Sequence, residues 1–307
     1  MNSTVASRLL FALATGLLAM PAMPAIGATC PPAGYDRPAL GALKAAKFEI
    51  SDDASRQSLA KALIPCLADP DPILRDGIAF EAYSTWLRAN RLDGATRTAL
   101  LARLGAMIAP DQTDRDGFRQ PFAALVLSEV ARTDRITPWL DPKQRAELID
   151  RTARYVASVR DYRGFDEKEG WRHGVAHGAD IAMQLVLNPA VDRAGVDRLL
   201  DAIASQVAPP APHYYVAGEP ERLARPVLFA AQRGLYTADE WEKWLQKIAA
   251  PPPSVDPTAA FRTQAGLARR HNLHAFMNAL YVNAREGGDK NVEVLVAPLQ
   301  TVIKTLR

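Results

Sequence analysis

Histidine and cysteine are scarce in this 307-residue chain, with 5 and 2 copies, and aromatic residues make up only 7% of it. Two cysteines leave a single possible pairing, and so few histidines make any clustering of them informative. Several signatures are missing altogether. The chain has no serine nucleophile motif, no phosphate loop and no dinucleotide glycine pattern, which removes the sequence signs of those chemistries. It has no basic run and no aromatic-basic interleaving. Its 37 Lys and Arg stand against 34 Asp and Glu for a formal net charge of +3, spread along the chain, which argues against nucleic acid as a partner. There is no convincing alternating strand, and beyond the N-terminus no apolar stretch approaches the roughly 20 residues of a transmembrane helix.

What is present begins with a distinctive N-terminus. Arg8 is its only charge, Leu9 to Met20 is apolar, and Pro21, Pro24 and Ala25-Ile26-Gly27-Ala28 follow. A basic start, a short apolar core and a small-residue site predict a cleaved secretory signal peptide over residues 1–28 and a periplasmic or secreted location. A retained membrane anchor and a lipoprotein, suggested by Gly27-Ala28-Thr29-Cys30, are the alternatives. Export implies an oxidising compartment, so Cys30 and Cys66 are expected to form a disulfide, with a loop length that would contribute about 3–4 kcal/mol in the chain-entropy model.

The remainder, 29–307, reads as one all-helical domain, 48% of the whole sequence being apolar. Apolar residues recur with helical period between turn clusters, predicting helices at about 38–47, 52–67, 72–90, 95–108, 118–133, 142–160, 168–188, 192–207, 219–234, 238–249, 258–284 and 290–305. Asp71-Pro72, Asp141-Pro142 and Asp256-Pro257 mark starts, as does Thr237 with Glu240, a capping box; Gly234, Gly287-Gly288 and Pro251-Pro252-Pro253 mark stops. Short-linked helices without strands predict an all-α fold of stacked antiparallel helix pairs, either an α-solenoid of the HEAT or armadillo kind or a compact α/α array.

The candidate site lies in Gly170-Trp171-Arg172-His173-Gly174-Val175-Ala176-His177-Gly178-Ala179-Asp180. In a helix, His173, His177, Asp180 and Gln184 fall within about 60° on one face, with Trp171, Val175, Ala182 and Val186 opposite. Gly174 and Gly178 flank this stripe at a cost of about 1 kcal/mol each relative to alanine, which implies close approach by another helix or a ligand. Imidazoles four residues apart can chelate a divalent metal such as zinc, with Asp180 as a third ligand and an open position for water. Position 174 is glycine, so the stripe lacks the adjacent general base of a zinc protease; two buried, hydrogen-bonded histidines are the structural alternative. His271 and His274, with Asn278, occupy one face of a later helix and would complete a four-histidine pocket if the two helices met.

Glu129 falls on a stripe with Phe118, Phe122 and Leu125, so it should be buried and paired, with Arg75 as the expected partner; a general base is the functional alternative. Asp161, Asp166, Glu167 and Glu169 lack calcium-loop spacing, and Asp166 with Glu169 is expected to cap the histidine helix. Trp241 and Trp244, three apart, pack the core or form a sugar-stacking platform.

Leu74-Arg75-Asp76, Trp86-Leu87, Phe122 to Glu129, Arg163-Gly164-Phe165, Glu169 to Asp180 and Glu221-Arg222-Leu223-Ala224 together resemble the bacterial domain of unknown function 2785 family over about residues 60–285. The resemblance implies an all-helical fold and no established activity. The reading at this level is an exported helical-repeat protein that binds a ligand or protein partner at a polar face around His173, His177 and Asp180, with a metal-dependent hydrolase using the same residues as the alternative.

Overall fold

The computed structural model describes residues 29–251 and 260–306. Helix starts follow the local chemistry. Asp36, Asp52, Asp93, Asp192 and Thr263 each accept a hydrogen bond from a backbone N–H in the first turn of α1 (Arg37–Ala45), α2 (Asp53–Ala62), α5 (Gly94–Met107), α9 (Arg193–Val207) and α12 (Gln264–Glu286). Full capping boxes, Asp141 with Gln144 and Thr237 with Glu240, open α7 (Pro142–Ser158) and α11 (Ala238–Ala249). Three further long helices are α6 (Arg119–Ile136), α8 (Gly174–Val186) and α10 (Glu219–Gln232), and the chain closes with the short α13 (Lys290–Glu293) and α14 (Val296–Thr305). The Asp256-Pro257 start lies outside the described residues.

Two expected helices are broken. The 52–67 helix ends at Ala62 and continues as a tighter turn, Ile64–Ala68, holding Cys66, which is disulfide-bonded to Cys30. The 72–90 helix divides into α3 (Pro72–Leu74), a π-helical segment Arg75–Phe80, and α4 (Glu81–Arg88). A π turn is wider than an α turn, so residues beyond it rotate away from the faces a continuous helix would give them.

The class is all-α, built of packed helix pairs, with one two-residue hairpin among the described residues: β1 (Phe165–Asp166) pairs antiparallel with β2 (Gly170–Trp171). From α6 onward the helices alternate between two rows. In one row α6 packs on α8, α8 on α10 and α10 on α12; in the other α7 packs on α9 and α9 on α11. This is the layering of a solenoid, in which each helix buries an apolar stripe against its own pair-mate and the next pair. The buried apolar residues form a single cluster running through both rows. Among the described residues no helix is long and apolar enough to cross a membrane.

The rows fix α8 at the centre, with α6 and α10 beside it and α7 behind it. Every residue from Gly174 to Ala182 is buried. The glycines make this possible. A Cβ at Gly178 would sit 2.9 Å from Val156 Cγ2 and 3.3 Å from Tyr155 Cε1, and one at Gly174 would touch Tyr155 Oη at 3.4 Å. Of the two occupants that the glycines allowed, a helix or a ligand, it is helix α7 that fills the space.

Candidate functional site

His173 and His177 do not share a helical stripe in the expected way. The 168–188 helix starts only at Gly174, because the preceding residues form the hairpin, and His173 stands at its N-cap in the left-handed region with φ 59°. Three contacts impose this. Arg75, fully buried, donates to the Glu169 carbonyl at 2.7 Å, and Arg172 donates to the Asp116 carbonyl at 2.7 Å and to Glu169 Oε2 at 2.8 Å. Gly170 has φ 75° and lies where a Cβ would be 3.1 Å from both Arg75 Nη2 and Pro72 Cβ, so only glycine lets the strand cross there. Both guanidiniums lie over the Phe118 ring, at 4.0 and 4.2 Å. Asp166 therefore caps the hairpin turn, accepting from the Lys168 and Glu169 N–H groups at 2.9 Å each, and does not cap α8.

The two imidazoles nonetheless meet. Their ring centroids are 5.7 Å apart, with Trp171 stacked on His173 at 4.7 Å and Phe122 edge-on to His177 at 5.5 Å. His177 Nδ1 lies 3.1 Å from the Pro121 carbonyl, which can only accept, so Nδ1 carries the proton and Nε2 is left as an acceptor. His173 Nε2 is buried without a hydrogen-bond partner, 3.6 Å from Glu219 Oε1. Burial, reinforced by the positive charge of Arg222, lowers the His173 pKa to about 4. Burial also holds His177 well below the ordinary range, with His173 and Arg222 adding to the effect. Both rings are therefore neutral at pH 7.

Asp180 turns to a different partner. Arg222 on α10 grips it through two parallel N–H donors, Nε to Oδ1 at 3.0 Å and Nη2 to Oδ2. Burial pushes the Asp180 carboxyl up and the Arg222 charge opposes that shift. Gln184, one turn on, accepts from Arg135 at 3.0 Å. The three-ligand set of His173, His177 and Asp180 thus does not form, and among the described residues no group of three or more His, Cys, Asp or Glu side chains could hold a metal ion.

The two imidazoles line a cavity of about 560 Å³ together with Phe122, Trp171, Arg222 and Arg225. Asp76 and Phe80, from the π-helical segment, form part of its wall, as does Glu221. Arg222 and Trp171 were missed as site residues. Arg222 carries a sequence signal only in combination with Asp180, from which it is separated by 42 positions.

Other expected pairings are corrected. Glu129 is buried and bonded to Arg88 at 3.0 and 2.5 Å, not to Arg75. Arg75 instead serves Asp76 and the carbonyls of Asp69, Pro70 and Glu169. The shift of phase across the π turn accounts for the exchange. His271 and His274 do not join the first pair: His271 Nε2 meets the Tyr215 carbonyl and His274 Nε2 the Leu306 carbonyl, each at 3.2 Å. Asp161 is taken by Arg163 and Glu169 by Arg172, while Asp166 accepts from the hairpin backbone, so three of the four acidic residues are engaged within the protein. Trp241 is 1% exposed and Trp244 packs edge-on against it at 5.7 Å, and both line a cavity of about 360 Å³ with Tyr236, Asp197 and Glu240.

Fold and site together define an all-α protein of layered helix pairs with one histidine- and arginine-lined cavity at the centre of a row. A family model described as a protein of unknown function, DUF2785, matches residues 104–282, and the chain belongs to that family. The match spans α6, the hairpin, α8 and α10, which supply most of the cavity wall; Asp76 and Phe80 of the π-helical segment lie outside it. No curated protein and no solved structure matches the chain.

Proposed function

We propose that this is an exported protein whose role is to bind a small hydroxy acid in the cavity lined by His173, His177, Arg222 and Arg225. The observation that carries the proposal is His173: a non-glycine residue in the left-handed region, 7% exposed, with an unsatisfied Nε2 in a cavity wall. Strained backbone and an orphaned buried polar atom are both costly, and they persist where a site needs them. The neutral His177 imidazole offers Nε2 as an acceptor suited to a hydroxyl donor. Arg222, with two of its five N–H groups on Asp180, keeps others for an acidic group, and the exposed Arg225 lies one turn further along α10. Export rests on the N-terminal signal pattern and is supported by the Cys30–Cys66 disulfide.

The test is proton NMR of the imidazole C–H signals during titration with a panel of small hydroxy acids and amino acids. At least one hydroxy acid should shift the signals of both His173 and His177, and His177→Ala should weaken it tenfold or more. A panel in which every member leaves both signals in place would sink the reading.

A further inference from the structure

A second cavity, of about 370 Å³, shares Trp171 and Ala217 with the first but has a different chemistry. Its walls include Tyr162, Phe165, Trp171, His213, Val216 and Glu219, and no lysine or arginine lines it. The rings come as two pairs. Tyr162 and His213 stack at 5.4 Å with planes 24° apart, and Phe165 lies 5.0 Å from Trp171. Phe165 is 57% exposed and Val216 83%, so apolar surface stands open at the mouth. Burial lowers the His213 pKa, which keeps that ring uncharged.

Glu219 is the one acidic side chain in the lining, and it is 2% exposed. Its Oε2 accepts from the Ala217 N–H at 3.0 Å, and Oε1 lies 3.6 Å from His173 Nε2. Aromatic faces are negative, and several of them around one carboxylate attract a cation. A primary ammonium brings three N–H donors that each want an acceptor, whereas most of this lining is apolar or aromatic, with Glu219, Tyr162 and His213 as its polar side chains. A sugar would want still more. A quaternary ammonium has no N–H, spreads its charge over methyl groups and needs only ring faces and a nearby anion.

We propose that the box formed by Tyr162, Phe165, Trp171, His213 and Glu219 binds a trimethylammonium group of the choline or betaine kind. It does not rest on the hydroxy-acid reading of the neighbouring cavity, and the two fail separately, since one is read on choline and the other on the imidazole signals with hydroxy acids.

The experiment is calorimetric titration of the full chain with choline, ethanolamine and dimethylbutanol, the neutral carbon isostere of choline. Choline should bind, with ethanolamine and the isostere at least tenfold weaker. Phe165→Ala removes an exposed ring whose only ring partner among the described residues is Trp171, so the chain should fold, and choline affinity should fall roughly three- to thirtyfold. Glu219→Gln should reduce it as well. Absence of choline binding, equal binding of the isostere, or an unchanged affinity in Phe165→Ala would each overturn the proposal.

Discussion

The chain carries two histidine pairs one helical turn apart, His173 with His177 and His271 with His274, and they have opposite fates. The first pair is buried, neutral and turned to a cavity. The second lies half in solvent and each ring satisfies a main-chain carbonyl, of Tyr215 and of Leu306. The two sequences differ little in histidine spacing; the neighbours make the difference. Helix α8 is enclosed by α6, α7 and α10, whereas α12 ends its row, against α10 and α14. A carbonyl within reach does not separate the pairs, since His177 also meets that of Pro121; what separates them is that His173 and His177 line a cavity whereas His271 and His274 line neither of the two described.

That account makes the glycines of α8 responsible for bringing α7 close behind the first pair, and the largest expected effect follows from it. Gly178→Val would put a branched side chain where even a Cβ is 2.9 Å from Val156 Cγ2. Overpacking of this kind should cost about 3 kcal/mol, and thermal unfolding should show a fall in Tm of roughly 6–10 °C. A Tm within a degree or so of the parent would mean that α7 and α8 can part without loss, and the close approach would no longer explain the enclosure of the first pair.

The same contrast explains what could be read along the chain. Helix ends depend on nearby chemistry, so Asp141 with Gln144 and Thr237 with Glu240 announce α7 and α11 in the sequence itself. The start of α8 does not. It is displaced by Arg75, which reaches the Glu169 carbonyl from 94 positions away, and by Arg172, which bonds Asp116 at a separation of 56. Likewise Glu129 was legible as a buried, paired carboxylate, but its partner was not, because the π turn after Leu74 changes which arginine faces it. His173 and His177 were legible as neighbours through spacing alone. The cavity beside them draws on the π segment, α6, the hairpin and α10, and no local pattern encodes that convergence.

Acid should separate the parent chain from a variant of the first pair. The folded-state pKa of His173 is lowered from 6.5 to about 4, so the unfolded chain takes up the proton first. Its contribution is therefore intact above pH 6.5 and is lost as the pH falls from there towards 4, by about 2–3 kcal/mol after discounting for partial exposure. Glu219 and Asp180, whose pKa values burial raises, act in the opposite direction as carboxylates protonate, so the parent's own profile mixes the two. His173→Asn isolates the imidazole, since asparagine tolerates the left-handed backbone. Urea unfolding at pH 7 and pH 4.5 should show the parent losing more stability than the variant; equal losses would mean that His173 is not held neutral.

The smallest effect belongs to the second pair. His274 contributes one hydrogen bond to the Leu306 carbonyl near the end of α14 and lines neither cavity described above. His274→Ala should cost about 0.5–1.5 kcal/mol, the net worth of one such bond, chiefly by loosening the α14 terminus. Hydrogen exchange should speed up in the last turn of α14 and stay unchanged in α8, while the imidazole signals of His173 and His177 keep their positions. A shift of those signals in His274→Ala would join the two pairs after all, through α10, which packs on both α8 and α12. The division between a functional and a structural pair would then have to be replaced by a single coupled set.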